Sequence, residues 1–105
     1  MPLRDEITEL LRMPENGTGA PSLDAIESTL TDGYAAKLEL EAERWRIERR
    51  LGEVARDGGN GTDRREIARL SEQLDTADGE LSRLRTLLDR LQSVRRRRRA
   101  AAPAC

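Results

Sequence analysis

Residues 67–91 read IARLSEQLDTADGELSRLRTLLDRL, and their apolar positions Ile67, Leu70, Leu74, Ala77, Leu81, Leu84, Leu88 and Leu91 follow one another in alternating three- and four-residue steps. That rhythm is the a and d pattern of a heptad, which keeps one stripe of a helix turned toward a partner helix. The stretch therefore predicts an all-α protein whose burial comes from a coiled-coil seam.

A partner stripe lies upstream in the same chain. Leu23, Ile26, Leu30, Leu40, Ile47, Leu51 and Val54 keep the same rhythm, interrupted at Gly33, Lys37 and Arg44. Between the two stripes, residues 55–66 read ARDGGNGTDRRE. Gly58, Gly59, Asn60 and Gly61 favour a reversal, and Asp63 with Glu66 resembles a capping box. A short connection between two long helices makes them antiparallel neighbours. The expected architecture is an antiparallel two-helix coiled-coil hairpin over 22–99, with helix 22–56, loop 57–62 and helix 63–98. Folding the chain about that loop pairs Val54 with Ile67, Leu51 with Leu70, Ile47 with Leu74, Leu40 with Leu81 and Leu30 with Leu91. It also sets Arg44 opposite small Ala77, and the stem of Lys37 along Leu84.

The same register brings Glu41 near Asp78 and Glu43 near Glu80. Exposed like charges cost only a few tenths of a kcal/mol each, too little to overturn a continuous seam. They leave one rival, a parallel pairing of helix 63–98 with its counterpart in another chain, in which Glu80 meets the partner subunit's Arg85.

Upstream, residues 1–14 form a short amphipathic helix with Leu3, Ile7, Leu10 and Leu11 on one face, ending at Pro14. About three turns of helix are marginal alone in water. The segment must dock, either on its own hairpin or on a partner as a mobile arm. ENGTGAP, residues 15–21, is a linker. Ser22 is a good N-cap, with Asp24 and Glu27 near the positive end of the dipole. Thr31, Asp32 and Gly33 are poor helix formers, which predicts a bend or a later start there. Residues 100–105 are expected to be a disordered tail.

Composition narrows the function. The 105 residues make one small domain, and 36% hydrophobic content with only two aromatics, Tyr34 and Trp45, leaves burial to helix seams. A net charge of -1 hides a split, because the five arginines at 95–99 leave about -6 for the rest. With no His and only Cys105, the chain has no means to build a Cys/His metal site, a Ser-His-Asp or Cys-His arrangement, or an internal disulfide. Cys105 is also too near the end for prenylation. Catalysis by carboxylates needs them converging in a shielded pocket, which a two-helix rod lacks. The reading is therefore non-enzymatic, with no cofactor and no metal. No apolar run reaches the ~20 residues of a membrane span and the N-terminus lacks signal-peptide character, so a cytoplasmic protein is expected. Asn16 and Asn60 head glycosylation-like triplets that read better as turns.

Two features suggest partners. Tyr34, Leu38, Ala42 and Trp45 form a second stripe beside the seam, and Leu87 with Val94 forms a smaller one on the second helix. Tyr34, Leu38, Trp45 and Leu87 are the candidate partner-binding residues. They would let two hairpins assemble into a helical bundle, a homo-oligomer most simply a dimer, or would bind an unidentified protein. Alternatively, the N-terminal helix covers the stripe and the chain is a monomer. Arg95, Arg96, Arg97, Arg98 and Arg99 are the candidate polyanion-binding residues, for nucleic acid, an acidic protein surface or an anionic membrane. Against this, no aromatic interleaves with the run and the body is acidic. Such a run also complements a helix C-terminus or serves as a solvated basic tail. The tip acids Asp57 and Asp63 resemble the acidic coiled-coil tip of bacterial transcript-cleavage factors, but no residue role follows, because the globular domain that positions such a tip is missing. The expected function is a coiled-coil interaction or assembly module, with a nucleic-acid-associated adaptor or regulator as the alternative.

Overall fold

The computed structural model describes residues 2–57 and 61–101, with the side chains of 61–63 outside the description. The described chain is all-α: α1 (Pro2–Arg12), α2 (Leu23–Asp57) and α3 (Gly61–Ala101). α2 and α3 form a helical hairpin, preceded by the short α1. No helix of the described residues is long and apolar enough to cross a membrane.

The ends of the elements follow from local chemistry. Pro2 opens α1, where its fixed φ suits the first helical position and its missing N–H is no loss. α1 stops short of Pro14, whose ring cannot continue a helix. In the linker, Gly17 and Gly19 take φ of 82 and 87°, left-handed values that cost a residue with a Cβ. Ser22 caps α2, its Oγ accepting the Ala25 N–H at 3.0 Å. α3 begins at Gly61, so Asp63 lies inside its first turn rather than at the expected cap. It runs on to Ala101, so Ala100 and Ala101 are helical where a disordered tail was expected. The loop residues 58–60 and the last residues 102–105 lie outside the described residues, as does the Asp63 side chain.

Packing divides the chain into two compact units, Met1–Ala36 with Arg83–Cys105, and Lys37–Ser82. The first contains α1, the opening turns of α2 and the second half of α3. Ile7, Ile26, Leu30, Leu84, Leu88, Leu91 and Val94 are buried together there. Ile7 has no exposed surface, so α1 docks on its own chain, and full burial of such a side chain contributes about 1.5–3 kcal/mol. Gly33 is buried as well. A Cβ built there would meet Leu88 Cδ2 at 2.3 Å and Ile7 Cδ1 at 3.8 Å, so the glycine is where α1, α2 and α3 converge. The alternative of a later helix start near Asp32 is corrected, since α2 runs from Leu23 through Thr31, Asp32 and Gly33. The Thr31 hydroxyl bonds back to the Glu27 carbonyl at 3.0 Å within the helix. The poor helix former is there to bring helices together, not to break one.

The second unit has only two helices, and its core is thinner. Val54, Leu70, Ala77 and Leu81 are buried, whereas Leu40, Ile47, Leu51, Ile67 and Leu74 are half-buried. The buried seam residues of α3 pack within the hairpin, as the antiparallel reading expects. The flanking charges also differ from expectation. Asp78 is bound by Arg44 rather than facing Glu41, and Glu41 pairs along its own helix with Lys37 at 3.7 Å. Arg50 reaches Glu66 on α3 at 3.1 Å. A long guanidinium stem at the seam edge crosses to the next carboxylate, so opposite charges meet after all. Glu43 and Glu80 do line one shallow groove, beside Ile47 and Ala77.

Candidate functional site

The second stripe of α2 stays open to solvent. Leu38 is 65% exposed, Trp45 57% and Tyr34 40%, and Ala42 is exposed between Leu38 and Trp45. In the unit Lys37–Ser82, Leu38, Ala42 and Trp45 recur at helical spacing and so share one face of α2. The Arg49 guanidinium lies 5.3 Å from the centroid of the Trp45 ring, one turn away. That cation–π contact holds the indole against its own helix without covering the face.

The expectation that α1 covers this stripe is half right, because α1 folds back but places Ile7 against Gly33 and Leu88 instead. In the same unit Tyr34 borders a shallow groove with Glu27, Leu30, Thr31, Gln92 and Arg95. On α3, Leu87 is half-buried. Val94 is only 9% exposed and belongs to the core, so the smaller stripe expected there does not exist.

The arginine run forms the last turns of α3 and turns back on its own chain. Arg95 Nε donates to Glu27 Oε2 at 3.3 Å, and Arg99 Nη2 donates to the same oxygen at 2.7 Å. These two lie four residues apart on one helix face. Arg97 engages Glu15 with both arms of its fork, the Nε bond measuring 3.0 Å. Arg98 Nη1 donates to the Pro21 carbonyl at 2.6 Å, and Arg96 Nη2 to the Ser93 hydroxyl at 3.1 Å. The hydrogen bond from Arg97 holds the Glu15 carboxyl below the usual carboxylate value, with partial desolvation opposing it. Glu27 is lowered too, first by the bond from Arg99, with desolvation opposing and the bond from Arg95 adding to it. Reciprocally, the bond to Glu15 raises Arg97.

Sequence reasoning treated the run as a solvated tail or a polyanion site and missed Glu15 and Glu27 as its partners. The signal was available for Glu27, because the register that pairs Leu30 with Leu91 carries Arg95 to the height of Glu27. Glu15 lies in the linker, where no helical register reaches.

Among the described residues no group of three or more His, Cys, Asp or Glu side chains is placed to hold a metal ion. What the molecule offers is an exposed aromatic and aliphatic helix face, and a basic helix end already engaged by acids. Compared with known proteins, the chain matches no family model, no curated protein and no solved structure.

Proposed function

We propose that this chain is a non-enzymatic helical interaction module that self-associates through the α2 face bearing Leu38, Ala42 and Trp45. One observation supports the reading: a leucine and the sole tryptophan, 65% and 57% exposed, stand seven residues apart on one helix face. A scattered exposed leucine is ordinary, but an aligned apolar stripe is the pattern with which helices pack on one another. Aromatic side chains bury on the order of 150–250 Å² each, and at ~25 cal/mol per Å² two copies of this face supply several kcal/mol before association entropy is subtracted. The resulting association is weak and concentration-dependent.

Sedimentation velocity over a dilution series of the full chain tests it. The expected result is a monomer that converts to a dimer as concentration rises, with Trp45 emission shifting to the blue. Replacing Leu38 and Trp45 together by Ser is expected to leave a helical monomer throughout. A wild-type chain that stays monomeric at hundreds of micromolar, with Trp45 emission as in water, would sink the reading.

A further inference from the structure

Residues 37–48 read KLELEAERWRIE, and the segment is complementary to its own reverse. Inverting it about the point between Ala42 and Glu43 sets Lys37 on Glu48, Glu39 on Arg46 and Glu41 on Arg44. The same inversion sets Leu38 on Ile47 and Leu40 on Trp45. Six of the seven charges meet their opposites, Glu43 alone falling on Ala42 at the axis, and every large apolar residue meets another. A two-fold axis across a helix performs this inversion between two copies of a chain, and a two-fold interface must be self-complementary in this sense.

The structure shows which of these matches is available between molecules. Lys37 pairs with Glu41, and Arg44 with Glu48 and Asp78, inside the chain. Leu40 and Ile47 are half-buried on the seam side. Glu39 and Arg46 are exposed and make no ion pair among the described residues. They stand seven residues apart on one edge of the Leu38, Ala42 and Trp45 face, which is where two antiparallel helices bring matching edges together.

We infer that the occupant of this face is a second copy of the same chain, packed antiparallel with the two-fold axis crossing α2 beside Ala42. The inference rests on the self-association proposed above and adds its geometry. Trp45 enters the gap beside the partner subunit's Leu38 and the partner subunit's Ala42, the small alanines letting the helices approach. Glu39 pairs with the partner subunit's Arg46, and the axis makes this pair twice. A parallel, in-register pair would instead set the Glu39 edge against that of Glu41 and Glu48, where Glu39 meets like charge.

Charge reversal in the full chain tests the geometry. Glu39→Arg alone and Arg46→Glu alone each replace two attractions by two repulsions and are expected to weaken the dimer about tenfold. The double reversal is expected to restore it to within about threefold of wild type. Independently, in a Cys105→Ser background, mixing Glu39→Cys and Arg46→Cys chains with a short bismaleimide is expected to give mainly the mixed cross-linked dimer. Failure of the double reversal to rescue, or cross-linking mainly between like chains, overturns the antiparallel geometry while a concentration-dependent wild-type dimer still upholds self-association. A wild-type chain that never dimerises removes both.

Discussion

Gly33 on α2 lies against Leu88 on α3 so closely that a Cβ at position 33 would sit 2.3 Å from Leu88 Cδ2 and 3.5 Å from its Cγ. Two effects oppose each other in Gly33→Ala. Helix propensity favours alanine by about 1 kcal/mol, whereas overpacking a filled core costs about 1–3 kcal/mol. Leu88 is 1% exposed and Ile7 is fully buried beside the same glycine, so the leucine has little room to give way. Gly33→Ala is therefore expected to destabilise the chain by about 1 kcal/mol, roughly 4–8 °C in melting temperature for a domain of this size. In a Leu88→Ala background the clash is gone and the same substitution is expected to be neutral or stabilising. Thermal melts followed by circular dichroism read both signs, and a stabilising effect in the wild-type background would mean that α2 and α3 are not this close.

That contact also shows what a sequence conceals. The seam from Ile67 to Leu91 was legible because a heptad is a one-dimensional pattern, and its antiparallel partner followed from the short glycine-rich loop. Gly33 was misread because propensity sees only the helix that contains it, while its role is set by Ile7 and Leu88 from elsewhere in the chain. The linkage of Arg44 to Asp78 lay one residue from the register partner Ala77 and was overlooked. That of Arg50 to Glu66 was hidden because a register places Cα positions, and this guanidinium reaches more than a turn beyond its own. The open face at Leu38 and Trp45 was legible as a stripe outside the seam. The engagement of the arginine run by Glu15 was not, because it depends on the path of a linker without periodicity.

The contrast between two leucines gives a second expectation. Leu81 is 4% exposed in the two-helix unit and Leu38 is 65% exposed. Leu81→Asp buries a carboxylate with no partner and is expected to cost about 3 kcal/mol or more, collapsing helicity. Leu38→Asp leaves its charge in water and is expected to change the monomer's stability by no more than about 0.5 kcal/mol while suppressing self-association. Circular dichroism melts at dilutions where the chain is monomeric separate the two. Equal losses would mean that Leu38, too, is held in a core.

Acidification should loosen the end of α3 from the linker. Glu15 and Glu27 both have carboxyls held below the usual 4.5, by Arg97 and by Arg99 with Arg95 respectively. A depressed folded value stabilises the fold above the unfolded value and loses that stabilisation as pH falls through the folded one, so the contacts persist from neutral pH down to about 4.5 and weaken below it. Carboxyl titration by NMR is expected to give midpoints under 4.5 for both residues. Arg97→Gln is expected to return Glu15 to its ordinary value and leave Glu27 low. A Glu15 that titrates normally in the wild-type chain would show that the Arg97 pair is not held in solution.

The same pairs set how the run at 95–99 responds to an external polyanion. Arg95 and Arg99 share Glu27, and Arg97 is held by Glu15, so a nucleic acid must displace these carboxylates before it collects the charges. Glu15→Gln with Glu27→Gln removes the competitors and keeps the arginines. That double variant is expected to bind arbitrary DNA several-fold more tightly at low salt than the wild type. Its dependence on salt should also be steeper, by up to about 0.9 for each arginine that gains a phosphate. Replacing all five arginines by Ser in the same background is expected to abolish the binding, which ties the effect to the run. If the double variant binds no better than the wild type and neither shows a salt-dependent signal, the acids are not what withholds the arginines. The run would then act only within the chain, tying the linker and the start of α2 to the end of α3.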